Sequence, residues 1–254
     1  MGNKKSISLI KLLTNSCKQL RSDWLGLILV VFFIICFASA VIIVLTLIYT
    51  LLLSYQIIPL AYFFTFTLGW NILLYLVTFI ISVIAQLLII NKFVNPEINL
   101  RANLKSLKAN FKNFLFLNIL IDILLLILSL PIYASLLLFF LQMNALAYIS
   151  VVVGLILIFV FGSYILFSPF IIIEKKQGAL EALRKSFYLA HGNISNIIFK
   201  LLILSLLLII VLYALSFISL SFPFWGKIFN ALFFLILIPF LFSYLFSMYQ
   251  DYKA

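Results

Sequence analysis

The run LGLILVVFFIICFASAVIIVLTLIYTLLL, residues 25–53, contains no charged side chain. It is longer than the roughly 20 residues that an α-helix needs to cross about 30 Å of hydrocarbon. Five further apolar runs follow, and because they are continuous rather than alternating they predict helices and not the strands of a membrane barrel. We therefore expect an all-α integral membrane domain with six transmembrane helices, at residues 25–53, 60–90, 114–141, 147–173, 194–220 and 228–248.

The composition of the 254 residues agrees with this class. Hydrophobic residues make up 67% of the chain and charged residues 9%, whereas about a quarter of a soluble domain is charged. No soluble core of this length could bury so much apolar surface, so the solvent is predicted to be the lipid bilayer. The net charge of +11 is then a property of the membrane interfaces, and no nucleic-acid partner is expected.

The basic residues lie almost entirely on one side of the predicted membrane. They precede the first span, separate the second from the third and the fourth from the fifth, and close the tail at Lys253, while Lys227 alone falls on the other side. By the positive-inside rule, both termini and the two longer loops are predicted to be cytoplasmic. We therefore expect a multi-pass protein of the cytoplasmic membrane.

A weak repeat links the three basic segments. The stretches TNSCKQLRSDW (14–24), LKSLKANFKNF (104–114) and RKSFYLAHGNI (184–194) align on a serine, with Asp or Asn seven residues later. Asp and Asn are strong N-caps, so each is predicted to end a surface helix and begin a span. This divides one domain, 1–254, into units of about 1–90, 91–173 and 174–254. The elbow positions are Ser16, Asp23, Ser106, Asn113, Ser186, Gly192 and Asn193.

The helix before each elbow is predicted to be amphipathic. Apolar residues recur there at helical spacing, with Lys, Arg, Asn and Ser on the other face. Such helices are expected to lie in the interface, with the apolar face in the acyl region and the basic face near anionic inner-leaflet headgroups. The three stripes are Ile10, Leu13, Cys17 and Leu20; Leu100, Leu104, Leu107 and Phe111; and Leu180, Leu183, Phe187 and Ala190.

Asp122 is the sharpest polar candidate inside a predicted span. It lies eight residues past Phe114, about 12 Å along the helix, with Asn118 one turn before it. A carboxylate at that depth is costly and indicates a functional site or an ion pair. Lys200 lies at a similar depth in the fifth span, so an Asp122–Lys200 pair is one interpretation. In the other, Lys200 reaches the headgroups and Asp122 is a neutral packing residue.

Five polar residues of the second span share one helix face. They are expected to face the bundle interior or a water-filled cavity rather than lipid. Two interpretations remain, interhelical hydrogen bonding and a substrate path. The residues are Asn71, Tyr75, Thr78, Ser82 and Gln86.

Prolines and glycines also stand inside predicted spans. Pro131, Pro169 and Pro239 are expected to bend their helices. Gly154 and Gly162 are expected to permit close helix packing.

Little in the chain indicates catalysis. His191 is the single histidine, the two cysteines are predicted at different depths, and no nucleotide-binding, hydrolase or zinc-protease motif is present. An intramembrane protease needs paired aspartates or a Ser/His set, whereas Asp122 stands alone in its span. We therefore predict no enzyme activity, no catalytic or metal site, and no cofactor.

The passage SPFIIIEKKQGALEALRKSFYLAHGNISNIIF, residues 168–199, resembles a motif of bacterial six-span membrane proteins. This group includes the membrane domain of glycerophosphoryl diester phosphodiesterases and the YciC-like inner-membrane proteins. The resemblance implies a six-span fold. Some members of the group also carry an attached hydrolase domain, and we expect no counterpart of its catalytic residues in this chain. The motif positions are Pro169, Glu174, Gly178, Ala182, Leu183, Ser186, Gly192 and Asn193.

Two functions remain open from the sequence. The first is a non-enzymatic, envelope- or lipid-associated scaffold or accessory module, bound to anionic lipid and in contact with other membrane proteins. The alternative is a small-solute or ion transporter or channel that uses Asp122 and the polar face of the second span.

Overall fold

The computed structural model describes residues 8–22, 24–54, 63–221 and 223–253. Within these residues all regular structure is helical, which confirms the predicted all-α class. The helices are α1 (Leu9–Ser22), α2 (Trp24–Ser54), α3 (Phe63–Val94), α4 (Leu100–Leu128), α5 (Leu130–Phe140), α6 (Asn144–Ile165), α7 (Ser168–Lys175), α8 (Ala179–His191), α9 (Ile194–Ser221) and α10 (Pro223–Lys253).

Six stretches of these helices are long and apolar enough, by length and composition, to cross a membrane. They coincide with the six predicted runs and indicate a multi-pass membrane protein. Their bounds are Gly26–Ser54, Thr65–Val94, Arg101–Phe140, Asn144–Lys175, Ile194–Phe217 and Leu232–Lys253.

Two of the predicted spans consist of two helices each, with a proline at the start of the second. Pro131 lies in the first turn of α5 and Pro169 in the first turn of α7. Proline fits the first turn because its missing amide hydrogen has no partner there, but it cannot continue a preceding helix. Both prolines therefore divide their spans into two helices, where a bend was predicted, whereas Pro239 lies inside the continuous helix α10.

The predicted elbow at Asn113 is wrong. Asn113 is exposed in the middle of α4, which runs without a break from the basic segment into the third span. No glycine or proline lies near this position to end the helix. The cap of α4 is instead Asn99, whose side-chain oxygen accepts a hydrogen bond from the Ala102 amide at 2.8 Å.

The chain does turn at the third elbow. Helix α8 ends at His191, with Gly192 as its C-cap as predicted. The Asn193 carbonyl accepts from the Ile197 amide at 3.0 Å at the start of α9. No side-chain cap from Asn193 is seen among the described residues, so the turn depends on its backbone. The first elbow lies between α1 and α2 at Asp23, outside the described residues.

The buried core lies at one end of the bundle. This end contains α1, residues 95–99, α7, α8 and the last turns of α10. We call it the basic end because most of the exposed cations lie on these segments and on the adjoining start of α4. Leu87, Phe114, Phe170 and Tyr249 are at most 1% exposed. Towards the opposite end, which we call the hairpin end, the spans leave most of their large apolar side chains exposed.

Candidate functional site

A buried ion pair joins α9 to the end of α10. The Lys200 ammonium donates to the Asp251 carboxylate at 3.2 Å and to the Tyr252 hydroxyl at 3.1 Å, and the Lys200 side chain is only 5% exposed. The Tyr244 hydroxyl donates to the Lys200 carbonyl at 3.2 Å. A buried ammonium requires such partners because an uncompensated charge is very costly there.

The considered pair between Lys200 and Asp122 is therefore not formed. Helix α9 packs mainly against α10 and α6, so Lys200 meets Asp251 and not the carboxylate on α4. Asp122 is exposed, and the described residues offer it no hydrogen bond or ion pair. Asn118 is partly buried and donates to the Phe114 carbonyl of its own helix at 2.9 Å.

The polar face of α3 points away from the bundle, contrary to the prediction. Thr78 and Ser82 bond only to carbonyls of their own helix, and Tyr75 stacks on Phe79 at 6.4 Å between ring centres. Hydroxyl groups satisfied in this way tolerate an apolar exterior. The exposed members of the set are Asn71, Tyr75, Thr78 and Ser82, while Gln86 is partly buried.

Glu174, from the motif in residues 168–199, fastens α7 to the end of α10. Its carboxylate accepts a hydrogen bond from the Tyr249 hydroxyl and forms an ion pair with Lys253. The other motif residues are structural as well: Gly178 is the N-cap of α8, Ala182 is fully buried, and Leu183 packs on the core.

The three aligned serines each contact an adjacent helix. The Ser186 hydroxyl donates to the Tyr164 carbonyl at 2.7 Å and accepts from the Phe167 amide at 3.1 Å, which links α8 to the end of α6. The Ser106 hydroxyl accepts from Asn91 on α3 at 2.7 Å. The Ser16 carbonyl accepts from a serine of α10 at 2.9 Å. A closed ring of three repeats would produce this pattern, and the repeat itself stays a prediction.

A cluster of amides that the sequence analysis missed joins α3 to α4. Asn91 donates to the Asn103 side-chain oxygen at 2.6 Å, and Asn103 donates to the Leu88 carbonyl at 3.1 Å. Lys92 donates to the carbonyls of Pro96 and Ile98 at 2.6 and 3.1 Å. These bonds fix the turn at residues 95–99.

The surface helices bury a face beside the predicted apolar stripes, while stripe residues such as Ile10, Leu180 and Phe187 stay exposed. Leu12 and Ser16 of α1 and Ala182 and Ser186 of α8 are fully buried against the bundle. Small and polar side chains let helices approach and bond across the interface, whereas large apolar side chains are stable against lipid. The large residues left exposed are Ile10, Leu104, Leu180, Phe187 and Tyr188.

Cations surround these exposed apolar residues. The local acids are mostly neutralised: Glu181 pairs with Lys185, Glu174 with Lys253 and Asp251 with Lys200. The basic end therefore presents an amphipathic surface with a large excess of positive charge. Among the described residues, the exposed cations outside these pairs are Lys11, Lys18, Arg21, Arg101, Lys105, Lys108, Lys112, Lys175, Lys176 and Arg184.

A groove of about 590 Å³ runs between α2 and α3 towards the basic end. Phe33 and Phe37 line one wall, and Ile84 and Leu88 line the other. The groove meets Lys92, Ile98, Asn99, Asn103 and Leu104 where α4 begins. Its walls are thus apolar throughout, and the polar residues at the basic end turn almost none of their polar surface towards it.

The described residues contain no group of three His, Cys, Asp or Glu side chains that could hold a metal ion. Cys17 and Cys36 are exposed free thiols. His191 stacks on Phe187, with 5.8 Å between ring centres, and thus belongs to an aromatic cluster on the outer face of α8.

These features define a multi-pass helical membrane protein with a packed, positively charged end and an apolar groove. The sequence matches no family model, and comparisons with curated proteins and with solved structures also gave no match.

Proposed function

We propose that the protein is a non-catalytic, lipid-associated membrane scaffold whose basic end lies on an anionic leaflet. The observation that carries this proposal is the surface of α1, α8 and the start of α4, where exposed apolar side chains stand beside exposed cations. Apolar side chains enter the acyl boundary, and each Lys or Arg near an anionic surface contributes about 1 kcal/mol.

The orientation follows from the same charges. With the basic end on the cytoplasmic leaflet, both termini are cytoplasmic, in line with the positive-inside rule. A role as a membrane module related to the glycerophosphoryl diester phosphodiesterase membrane domain is consistent with this arrangement. In support, Glu174 and Ser186 of the motif hold α7 and α8 to the bundle.

The transporter alternative has less support. A transport path requires polar groups around an enclosed route, whereas Asp122, Asn71, Thr78 and Ser82 are exposed on the outside of the bundle. Lys200, the remaining charged candidate, is occupied by Asp251 and Tyr252.

The test is the lipid preference of the protein in vesicles that contain phosphatidylcholine and phosphatidylglycerol. Electron paramagnetic resonance of spin-labelled lipids measures which of the two is enriched at the protein surface. Replacing Lys105, Lys108 and Lys112 by Gln removes three exposed cations from α4. We expect the preference for phosphatidylglycerol to fall several-fold because the attraction is electrostatic and additive.

The matched control replaces the same three lysines by Arg. It keeps the charge and is expected to keep the wild-type preference at every salt concentration. A Gln variant with the full wild-type preference would overturn the proposal.

A further inference from the structure

The groove between α2 and α3 has the polarity of a single lipid. Along α2 its lining extends from Gly26 to Phe37, about 16 Å at the helical rise. Its volume of about 590 Å³ lies within the 300–1,000 Å³ typical of small-molecule sites. The groove itself is apolar and fits one acyl tail, so a polar head would lie just outside its end at the basic end.

The polar end of the groove is closed and held in place. Lys92 bonds to two carbonyls of the turn at residues 95–99, Asn99 caps α4, and Asn103 is 1% exposed within the amide cluster. A second membrane-spanning helix in the groove would run into this turn. A flexible acyl chain that ends at the interface would not.

The described cations near this end, Lys92, Arg101 and Lys108, outnumber the one acid of the turn, Glu97, and so favour an anionic head. Leu104 lines the groove, and Arg101 and Lys108 lie three residues before it and four after it, on the same face of α4. Both cations are exposed and have no ion pair among the described residues. Arg binds phosphate through two parallel N–H donors, which gives a specific contact as well as a charge.

We infer that the groove binds one acyl chain of an anionic phospholipid, with the phosphate at Arg101 and Lys108. This inference rests on the proposed function, because the head must lie at the leaflet that the basic end contacts. It goes further in assigning one retained lipid to a defined site, distinct from the exchanging lipids around the whole surface.

The experiment is native mass spectrometry of the full chain, extracted by mild detergent from vesicles of phosphatidylcholine and phosphatidylglycerol. The wild type is expected to retain one phosphatidylglycerol per chain. Ile81→Trp fills the groove and should lower this occupancy at least tenfold, since Ile81 lines it. Ile80→Trp is the control, because Ile80 is 43% exposed on the same helix outside the groove lining and should leave occupancy unchanged.

Two further variants keep the test decisive. Gly26→Leu blocks the opposite wall and should reproduce the loss even if Ile81→Trp folds poorly. Arg101→Gln should leave a lipid in the groove but lower the preference for phosphatidylglycerol over phosphatidylcholine, because Lys108 alone then contacts the head. A wild type without retained lipid, a filled groove with wild-type occupancy, or an equal loss in Ile80→Trp would overturn the inference.

The spin-label measurement separates this inference from the proposed function. Ile81→Trp should keep the enrichment of anionic lipid around the protein. A wild type that retains one lipid in the groove but shows no enrichment of anionic lipid around it would count against the proposed function alone. A wild type that shows this enrichment but retains no lipid would count against the groove alone.

Discussion

The two ends of helix α3 are made of similar residues but have different surroundings. Towards the basic end, Leu87 and Ile90 are at most 1% exposed, while near the hairpin end Leu68 and Leu73 are 52% and 41% exposed. Leucine is as stable against lipid as inside the bundle, so apolarity alone does not drive the hairpin ends together. Hydropathy therefore determines where the chain crosses, and the close packing and polar contacts of the basic end determine how the helices are held.

The largest effect is expected from the buried ion pair. Lys200→Met removes the ammonium that pairs with the buried Asp251 carboxylate, and the free energy of unfolding should fall by about 3–5 kcal/mol. Equilibrium unfolding in mixed micelles of mild detergent and dodecyl sulfate measures the change. The double variant Lys200→Met with Asp251→Leu should regain most of the loss, because apolar side chains then replace both buried charges.

The exposed pair Glu181–Lys185 provides the control. Its atoms lie 3.3 Å apart, but both side chains are more than a third exposed. Lys185→Gln should change the unfolding free energy by less than about 1 kcal/mol. Equal losses for Lys200→Met and Lys185→Gln would remove the energetic distinction between buried and exposed polar contacts.

A smaller effect should come from the tight contact between α5 and α6, away from the basic end. A Cβ atom on Gly154 of α6 would lie 2.5 Å from the Ile132 Cγ1 atom of α5, whereas one on Gly162 would meet nothing within 4 Å. Gly154→Ala should therefore cost about 1–3 kcal/mol through overpacking. Gly162→Ala should be neutral, or stabilising by up to about 1 kcal/mol through helix propensity. The same unfolding assay compares the two variants. Equal effects would mean that α5 and α6 accommodate the added methyl group without a loss of stability.

The sequence predicted the six spans, a distortion of the helix at Pro131 and at Pro169, and the end of α8 at Gly192, because each follows from local chemistry. It could not predict which face of a span meets another helix, since lipid and protein interior are equally apolar. The polarity of one face of α3 predicts that it lies inside the bundle, but this face lies outside. The weak alignment predicts a cap at Asn113, but no residue near it ends a helix, and α4 continues through it.

The two polar clusters at the basic end depend on contacts between residues distant in sequence. Asp251 lies far along the chain from Lys200, and Asn91 meets Asn103 only because the turn at residues 95–99 folds α4 back on α3. The sequence did contain an indication of the Lys200–Asp251 pair. Asp251 is one of only six acids, and it lies among tyrosines at the end of α10.

The central claim, that the basic end carries the stability of the fold, is tested most directly by one substitution at two positions of α3. The quantity to compare is the loss of unfolding free energy in Leu87→Ala and in Leu73→Ala, in the same lipid-detergent mixture. Leu87 is fully buried and Leu73 is exposed, so the first should lose about 1–3 kcal/mol through the cavity that it leaves and the second less than about 0.5 kcal/mol. Equal losses, or a larger loss for Leu73→Ala, would contradict the account.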